Sequence, residues 1–519
     1  MPRQCSNAII PLMETLILKV DESIDGQDAI EKAAKIIRDG GLVAFPTETV
    51  YGLGGDATNA RSARRIYKAK GRPSDNPLIV HIARVEQLAE AAEDIPDVAY
   101  ELAKAFWPGP LTMILKKQRS IPRNTTGGLD TVAVRLPDNE VARELILQSG
   151  RLIAAPSANV SGRPSPTNAK HVYNDLAGKI DAIIDDGDSV VGLESTILDL
   201  TSDIPMILRP GVITRADLEQ VIGRVGVDSA IISDDESNPK APGMKYRHYA
   251  PKASLVVVEG DAYRVANYIN SQVCDLRSEG LKTGVIVAEE NAPMYKADIV
   301  KSVGSLEHEE EIAHNLYSIL REFDNEDIDR IYSESFNDDG IGQAIMNRLL
   351  KAAGHRKVNA NQESITRIIF VGKNGASRSP MAAAILKSME LNKDYEILSR
   401  GILVQFPEPL NPKIEAVLTG NGIEVEDFHA KELSDEDINS TTILFTMEES
   451  HKKRIIDKLA KANEGNTFVL STYVGNELEI PNPYGGSLQL YGLCFESIKK
   501  TLEDLVNILD QSRSKEELK

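Results

Sequence analysis

The sequence predicts an α/β protein built from three domains. Short apolar segments of strand length alternate with helical periods and tight turns over most of the 519 residues. This alternation restarts near residue 253 and again near residue 365. A chain of this length is also too long for one hydrophobic core, because domains typically hold about 100–200 residues. We therefore expect domains at 14–225, 253–358 and 365–511, with a linker at 226–252.

The first domain is predicted to contain a large mixed sheet. The segment DAIEKAAKIIRDGG, from Asp28 to Gly41, has the period of an amphipathic helix and ends in glycine. Seven segments have the length and apolar character of strands: GLVAF, PLIVHIA, LTMILKK, TVAVRLP, RLIAAPS, DAIIDD and STILDL. The second domain, from ASLVVVEG to IGQAIMNRLLKAAG, repeats the strand and helix alternation of a small doubly wound α/β domain. The third restarts with TRIIFVG and closes with the amphipathic segment FESIKKTLEDLVNILDQ.

Composition and charge argue against several classes of protein. The 59 Lys and Arg against 78 Asp and Glu give a formal charge of −19, which is unsuited to holding long nucleic acid nonspecifically. The cysteines Cys5, Cys274 and Cys494 are widely spaced and odd in number, so we expect no disulfide framework and no cysteine-based metal cluster. No apolar run approaches the roughly 18 residues of a membrane helix, and the N-terminal segment lacks the features of a signal peptide. We expect a cytoplasmic protein with no membrane partner.

Four cations stand at the ends of predicted elements in the first domain. Lys70 and Arg72 leave a helix and enter a Pro-rich loop, where two cations on a restrained backbone suit successive phosphates. Asn76 can either fix that loop or contact the ligand. Arg135 ends the strand TVAVRLP and would be costly in a sheet interior without an anion, although a structural salt bridge is the alternative. Arg209, in ILRPG, stands at another strand end, and the four together suit ATP better than a neutral ligand.

Polar loops and a histidine complete the candidate site. The segment AAPSANVSGRPSPT, from Ala154 to Thr167, offers hydroxyl and backbone N–H groups to phosphate oxygens. His81 lies in an apolar strand, where a lone histidine is more often packed than functional. Ser195 stands in the strand segment GLESTILDL. The cluster KYRHY, at 245–249, is unusual for a spacer, so we expect part of the linker to dock onto an anionic group.

Seven motifs, in order along the chain, carry a resemblance to a known family: FPTETVYGLG, KGRPxxNPLIVHI, WPGPLT, TVAVRLP, APSANxSGRPSPT, GxESTI and LRPG. They resemble the threonylcarbamoyl-adenylate synthase family, whose first domain is a YrdC-like α/β domain with a twisted mixed sheet. APGMKYRHYAP and AIMNRLLKAAG resemble the long form of that family, which adds a small Rossmann-like α/β domain. The resemblance covers about residues 14–356 and is highly specific, because many motifs agree in the same order.

The resemblance implies that L-threonine, bicarbonate and ATP yield threonylcarbamoyl-AMP and diphosphate. Mg²⁺ is implied as the companion of ATP, held by phosphates and water without dedicated protein ligands. The product would pass to a downstream tRNA threonylcarbamoyl transferase and so indirectly to tRNA. The implied ATP contacts are Arg72, Asn76, Thr131, Ser157, Asn159, Ser165, Arg209 and, from the linker, Tyr246. The implied threonine contacts are Thr47, His81, Arg135, the backbone around Ala155, and Ser195. Lys70, near the phosphates and the carbamate, is implied to be catalytic together with Arg72.

The last domain carries a second resemblance. IIFVGKNGASRSPMAAAIL, HAKELSDEDI, LFTMEESHKKRI and IPNPYGGSLQLYGLCFESI resemble the low-molecular-weight protein tyrosine phosphatase family, which implies a doubly wound phosphotyrosine phosphatase I-like fold. Such enzymes use a loop of Cys, five residues, Arg and then Ser or Thr, with an Asp-Pro pair as general acid. Arg378 and Ser379 match this pattern, but Gly372 takes the place of the cysteine and Asn482 that of the aspartate. Because neither replacement can do the chemistry, we expect an inactive domain that still binds phosphate or a phospho-ligand.

The sequence is also compatible with other functions. The basic concavity of the first domain could serve a tRNA- or double-stranded-RNA-binding regulatory protein, which the charge of −19 disfavours. A phosphatase with atypical C-terminal chemistry is a second alternative. The last domain could also be a folded appendage that aids solubility or dimerisation.

Overall fold

The computed structural model describes residues 14–20, 24–228, 249–360, 365–391, 394–439, 441–476 and 479–514. The chain divides into two compact units. The first takes the described residues of Met1–Val257 together with Ile286–Glu290 and Lys301–Lys357, and the second takes those of Val258–Val285, Asn291–Val300 and Val358–Lys519. The predicted α/β class is confirmed, whereas the predicted domain boundaries stay predictions. None of the described helices has the length and apolar character needed to span a bilayer.

A mixed sheet forms the frame of the first unit. Among the described residues its strands are β1 (Leu16–Lys19), β2 (Val43–Phe45), β3 (Gly52–Asp56), β4 (Ile79–His81), β5 (Leu111–Lys116), β6 (Thr131–Arg135), β7 (Ile153–Ala155), β8 (Ala182–Asp185), β9 (Thr196–Asp199), β10 (Met206–Arg209) and β11 (Gly226–Val227). Their order in the sheet is β1-β8-β2-β3-β7-β4-β6-β5-β9-β10-β11. The sheet is mixed because parallel pairs such as β4 with β6 stand beside antiparallel pairs such as β5 with β6.

Side chains alternate between two apolar layers along the central strands. In β6, Val132 and Val134 belong to the larger core, whereas Ala133 packs with Ile79 of β4 in a smaller cluster on the opposite face. The period of two places Arg135 on the face of Ala133, as the sequence predicts. The helices of this part of the chain are α1 (Ile24–Arg38), α2 (Ala60–Lys70), α3 (Leu88–Ala91), α4 (Asp97–Phe106), α5 (Glu140–Ser149), α6 (Ala169–Leu176) and α7 (Arg215–Ile222).

The glycine-rich strand β3 is not predicted by the sequence, because glycine is a poor strand former. Its glycines permit a close approach of neighbouring side chains. A Cβ atom added at Gly54 would lie 2.8 Å from Ile153 Cγ2 and 2.8 Å from Phe45 Cε1, which belong to the strands on either side of β3. Packing against these neighbours therefore decides the conformation where local propensity does not.

A second sheet follows the linker. Its strands are β12 (Ser254–Glu259), β13 (Thr283–Val287), β14 (Ile299–Ser302), β15 (Arg330–Glu334) and β16 (Lys357–Asn359), in the order β14-β13-β15-β12-β16. The helices of this region are α8 (Ala262–Ser278), α9 (Glu309–Phe323) and α10 (Gly340–Ala353). Helices α9 and α10 belong to the first unit.

The C-terminal part of the second unit holds a parallel sheet. Its strands are β17 (Arg367–Gly372), β18 (Glu396–Gly401), β19 (Thr442–Thr446) and β20 (Thr467–Val469), in the order β18-β17-β19-β20. Alternate residues of β17 pack into two different cores, Phe370 into one and Val371 into the other, so both faces of the sheet are covered. The helices here are α11 (Arg378–Lys387), α12 (Pro412–Gly420), α13 (Glu449–Lys458), α14 (Leu470–Tyr473) and α15 (Leu488–Ser514).

Candidate active site

One cavity of the first unit is bordered by most of the residues that the sequence analysis selected. The four cations predicted to converge, Lys70, Arg72, Arg135 and Arg209, all line it, so this convergence is confirmed. Six more of the selected residues share the lining: Thr47, His81, Ala155, Ser157, Asn159 and Ser195. The ligand that each of these residues contacts stays a prediction.

The end of helix α2 places two of the cations. Lys70 is its last residue, and Gly71 ends the helix in the left-handed conformation, at φ 63°. The Arg72 backbone N–H then donates to the Tyr67 carbonyl at 2.9 Å, which turns the chain into the loop. Asn76 Oδ1 accepts from Arg72 Nη2 at 2.5 Å, so Asn76 fixes this arginine. Burial lowers the pKa of Arg72 to about 10, which indicates that an anionic ligand would stabilise its charge.

Lys70 holds the loop that follows β7. Its Nζ donates to the carbonyls of Ser157 and Asn159 and, at 3.2 Å, to Asn159 Oδ1. Ser157 Oγ donates to the same Oδ1 at 2.6 Å, and Asn159 Nδ2 donates to the carbonyls of Val160 and Arg163. Burial lowers the pKa of Lys70 well below its usual value, but three acceptors match the three N–H groups of an ammonium. A phosphate contact by Lys70 would therefore have to replace one of these bonds.

Arg135, at the end of β6, is held by three groups. Nη1 donates to Thr49 Oγ1 at 2.8 Å, and Nε donates to the Gly109 carbonyl at 3.3 Å. Nη2 lies 2.7 Å from a carboxylate oxygen of Glu48, and both side chains are buried. The structural salt bridge left open by the sequence is thus present. Since Arg135 also lines the cavity, the same guanidinium can meet an anionic ligand.

His81 stands beside Arg135, because the two residues are paired in the register of β4 and β6. Burial, and then the charge of Arg135, lower the pKa of His81 to about 3, so the imidazole is neutral near pH 7. The ring packs edge-on against Phe45, with the centroids 5.7 Å apart. Its Nδ1 has no hydrogen-bond partner among the described residues. A buried, neutral ring with an unpaired nitrogen on a cavity wall is suited to form a hydrogen bond with a polar ligand atom.

Ser195 and Arg209 form another part of the wall. Arg209 Nε donates to the Ser195 carbonyl at 3.0 Å and its Nη2 to Ser195 Oγ at 3.1 Å, while Thr112 Oγ1 lies 2.7 Å from the same hydroxyl. The preceding residue, Glu194, also lines the cavity. Burial opposes ionisation of Glu194, but Arg348 and Arg209 outweigh it and lower its pKa to about 2. The wall therefore carries a fixed negative charge as well as cations.

Some selected residues do not border the described cavity, and these are Asn76, Thr131 and Ser165. Ser165 Oγ donates to Glu194 at 2.6 Å, so it supports the wall. Thr131 begins β6, at the opposite end of the strand from Arg135. Tyr246 lies outside the described residues. Contacts of these four residues with ATP stay predictions.

Sequence reasoning missed one residue that lines the cavity and one that pairs with a lining residue. Tyr249 lines the cavity and packs against Tyr317, with ring centroids 5.1 Å apart, and burial raises the pKa of Tyr249 to about 12. The aromatic and basic cluster KYRHY indicates this segment but does not single out Tyr249. The second residue is Glu48, which lies between two threonines, and no local signal in the sequence pairs it with Arg135.

A second cavity lies in the second unit and is lined by the phosphatase-like residues Gly372, Arg378, Ser379 and Asn482. Arg378 is buried, donates to the Ile480 carbonyl at 2.9 Å and pairs with Glu448. The backbone N–H groups of the loop residues 373–375 and 377 donate to no described residue. Loop N–H groups of this kind form a concavity suited to an anion.

Comparisons with known proteins place the chain in a class. A family model described as "Telomere recombination" matches residues 35–211, and the model "Threonylcarbamoyl-AMP synthase, C-terminal domain" matches residues 213–354. A third, "Low molecular weight phosphotyrosine protein phosphatase", matches residues 367–515. With the fold and the cationic cavity, the first two matches define an enzyme of the nucleotidyltransferase type.

Individual relatives narrow this class. The threonylcarbamoyl-AMP synthase of Pyrococcus abyssi is 50% identical over 342 residues, which make up 66% of this chain and 98% of the relative. That of Bacillus subtilis is 49% identical over 339 residues, or 65% of this chain and 96% of the relative. The crystal structure of P. abyssi Sua5 complexed with L-threonine is 50% identical, with a TM-score of 0.64, and covers 66% of this chain and 99% of that one. The chain belongs to the threonylcarbamoyl-AMP synthase family.

Proposed function

We propose that the first unit forms threonylcarbamoyl-AMP and diphosphate from L-threonine, bicarbonate and ATP. The observation that carries this proposal is the gathering of Lys70, Arg72, Arg135 and Arg209 around one cavity, in a chain that is 50% identical to a named synthase over 66% of its length. A triphosphate and a zwitterionic amino acid both present anionic groups, which need cations when they leave water. The relative that binds L-threonine supports the choice of amino acid.

The threonine end of the cavity is assigned to the residues around Arg135. Its guanidinium would hold the substrate carboxylate, and the neutral His81 ring would accept a hydrogen bond from the substrate without adding charge. Thr47, Ser195 and the backbone of Ala155 line the same cavity and would hold the remaining polar groups. Pairing of Arg135 with Glu48 keeps this arginine oriented before the substrate arrives.

The nucleotide end is assigned to Arg72, Ser157, Asn159 and Arg209. Lys70 would act here mainly by ordering the loop of Ser157 and Asn159. We treat Mg²⁺ as part of the nucleotide substrate, held by phosphates and water. Within the described ranges, no three His, Cys, Asp or Glu side chains gather closely enough to hold a metal ion.

The chemistry needs positioning and charge stabilisation more than a protein nucleophile. The threonine nitrogen bonds the carbon of bicarbonate, which loses water and becomes a carbamate. A carbamate oxygen then bonds the α-phosphorus of ATP while the bond to diphosphate breaks. Carbamates decompose readily in water, so the buried setting of the cavity protects the intermediate. The arginines stabilise the charge that develops on phosphate oxygens in the transition state.

The test is incubation of the full chain with ATP, L-threonine and bicarbonate, followed by mass detection of the adenylate. Diphosphate release that depends on all three substrates would support the proposal. RNA binding with a steep salt dependence and no turnover would instead favour the RNA-binding alternative. We further propose that the product passes to a tRNA threonylcarbamoyl transferase. A cytoplasmic location stays a prediction from the cysteine content.

For the second unit we propose a phosphate-binding function without hydrolysis. Lys373, Arg378 and Arg454 line its cavity with the loop N–H groups, and Gly372 offers no side chain to attack phosphorus. Stabilisation against heat by millimolar phosphate or vanadate is the expected result. If neither anion raises the unfolding temperature, the domain is better explained as a folded appendage. Hydrolysis of an aryl phosphate by the unaltered chain would favour the phosphatase alternative.

A further inference from the structure

A stripe of polar side chains on helix α9 contacts several other segments of the first unit. His314, Tyr317 and Arg321 follow one another at spacings of three and four residues, which places them on one face of the helix, and Asp324 is the C-cap residue that follows it. Arg321 Nη2 donates to Asp175 Oδ2 at 2.9 Å. The ends of the stripe reach two loops, since His314 Nδ1 lies 2.8 Å from the Val190 carbonyl oxygen and Asp324 pairs with Arg163 at 2.8 Å.

The central residue of this stripe contacts a residue of the cavity wall. Tyr317 is fully buried, and its hydroxyl donates to Glu194 Oε2 at 2.8 Å. Arg348 of helix α10 donates through Nε to the same oxygen at 3.1 Å, and Ser165 donates to the other carboxylate oxygen at 2.6 Å. Three donors from three segments thus fix the carboxylate of Glu194, which precedes Ser195.

Arg348 also holds the backbone on both sides of the Ser195 and Arg209 pair. Its Nη1 donates to the Pro210 carbonyl at 2.5 Å, and its Nη2 lies 3.4 Å from the Glu194 carbonyl. The side chain is completely buried. One guanidinium therefore connects the residue before Ser195 with the residue after Arg209.

We infer that Tyr317 and Arg348 are positioning residues of the synthase site, which fix Ser195 and Arg209 through Glu194. The inference rests on the proposed function. Neither residue lines the cavity, so neither is expected to touch substrate. Displacements of about 1 Å in a substrate-holding group can cost about a hundredfold in rate, which makes such anchoring consequential.

A purely structural role for this network predicts different behaviour. Buried ion pairs can often be replaced by apolar residues without loss of stability, so stability alone does not account for the three donors on Glu194. If the network only holds the fold together, its loss should lower the unfolding temperature and leave substrate affinity unchanged below that temperature. If it positions Ser195 and Arg209, affinity should fall even in well-folded protein.

The first experiment compares Tyr317→Phe with Leu349→Ala in the full chain. Tyr317→Phe removes the hydroxyl, which is hydrogen-bonded to both Glu194 and Tyr249, and keeps the ring that packs on Tyr249. We expect it to lower kcat/KM for both ATP and L-threonine by about tenfold, chiefly through raised KM, because a hydrogen bond to a charged group is lost. Leu349 is buried in the same helix as Arg348 but has no place in the network. Leu349→Ala should lower the unfolding temperature and keep KM within about twofold of the parent.

The second experiment tests whether the effect passes through Glu194. In a Glu194→Gln background, Tyr317→Phe should change KM by less than about twofold, because its charged acceptor is already gone. The effect of Leu349→Ala on unfolding should persist in that background. Arg348→Lys keeps the charge but loses the planar fork, so it should resemble Tyr317→Phe.

Calorimetric titration of ATP and of L-threonine measures positioning independently of turnover. If the parent chain makes no adenylate, the proposed function fails, and the inference is then judged from these affinities alone. Parent-like affinities in Tyr317→Phe and Arg348→Lys would overturn the inference. So would an undiminished effect of Tyr317→Phe in the Glu194→Gln background.

Discussion

The Arg135 guanidinium lies 2.7 Å from the Glu48 carboxylate, and both side chains are buried. Neither oxygen of that carboxylate accepts a well-formed hydrogen bond from a described residue. Removing one partner of such a pair leaves an uncompensated buried charge, which is more costly than the pair itself is stabilising. The pair thus holds a desolvated and oriented guanidinium at the place that we assign to the threonine carboxylate.

We expect Arg135→Met to lower the free energy of unfolding by about 3–5 kcal/mol, because Glu48 is left unpaired. The double variant Arg135→Met, Glu48→Gln should recover most of that loss, while neither variant binds threonine as the parent does. Urea denaturation followed by tryptophan fluorescence measures this, since the chain has one tryptophan, Trp107, in the first unit. Equal destabilisation of the single and double variants would contradict the expectation.

His81 should make the stability of the first unit depend on pH. Its pKa is lowered to about 3 in the folded chain, against an ordinary value of about 6.5 in the unfolded chain. Between these two pKa values the unfolded state binds a proton that the folded state does not. The free energy of unfolding therefore falls as the pH falls below about 6.5, by up to about 1.4 kcal/mol per pH unit. His81→Leu should flatten this slope. The same fluorescence assay at several pH values measures this slope.

Two glycines with the same backbone angle provide a matched pair. Gly187 and Gly192 both have φ of 79°, but a Cβ atom at Gly187 would meet nothing within 4 Å, whereas at Gly192 it would lie 2.5 Å from His314 Cα. Gly187→Ala should cost about 1–2 kcal/mol for the left-handed conformation alone. Gly192→Ala should cost about 1–3 kcal/mol more, because helix α9 has to shift. Equal costs in urea denaturation would show that the loop can move away from the helix.

Restoring two side chains should restore phosphatase chemistry in the second unit. A Cβ atom at Gly372 would lie 2.9 Å from Ser379 Oγ, so a rotation of one hydroxyl makes room for cysteine. Gly372→Cys, Asn482→Asp should therefore hydrolyse an aryl phosphate at least about a hundredfold faster than the parent. The control Gly372→Ala, Asn482→Asp fills the same space without a nucleophile and should show no hydrolysis of the aryl phosphate. Activity in this control would point to a different nucleophile.

Local sequence signals are enough to predict where the cations stand. Lys70 ends a helix at Gly71, and Arg135 and Arg209 end strands, so each position follows from a period or a stop signal nearby in the chain. The alternation of Val132, Ala133 and Val134 likewise settles which face of β6 carries Arg135. The convergence of these cations on one cavity follows once the strand order is known.

Other features depend on partners that are distant in the sequence. Glu48 meets Arg135 across 87 positions, and Glu194 meets Arg348 across 154, so no window of local sequence links them. Strand β3 has a glycine-rich sequence because its neighbours Phe45 and Ile153 need the space. These pairings are set by tertiary packing, which propensity and periodicity do not encode.

The separation of Glu194 from Arg348 also bears on how the protein is made. A nascent chain emerges from the ribosome N-terminal end first, so the strands around the cavity become available long before helix α10. We expect the cavity of the nascent chain to remain incompletely ordered until Arg348 has left the exit tunnel. Translation would then delay the onset of synthase activity. Ribosome-arrested chains that end just before or well after α10 would reveal this delay as a difference in ATP retention.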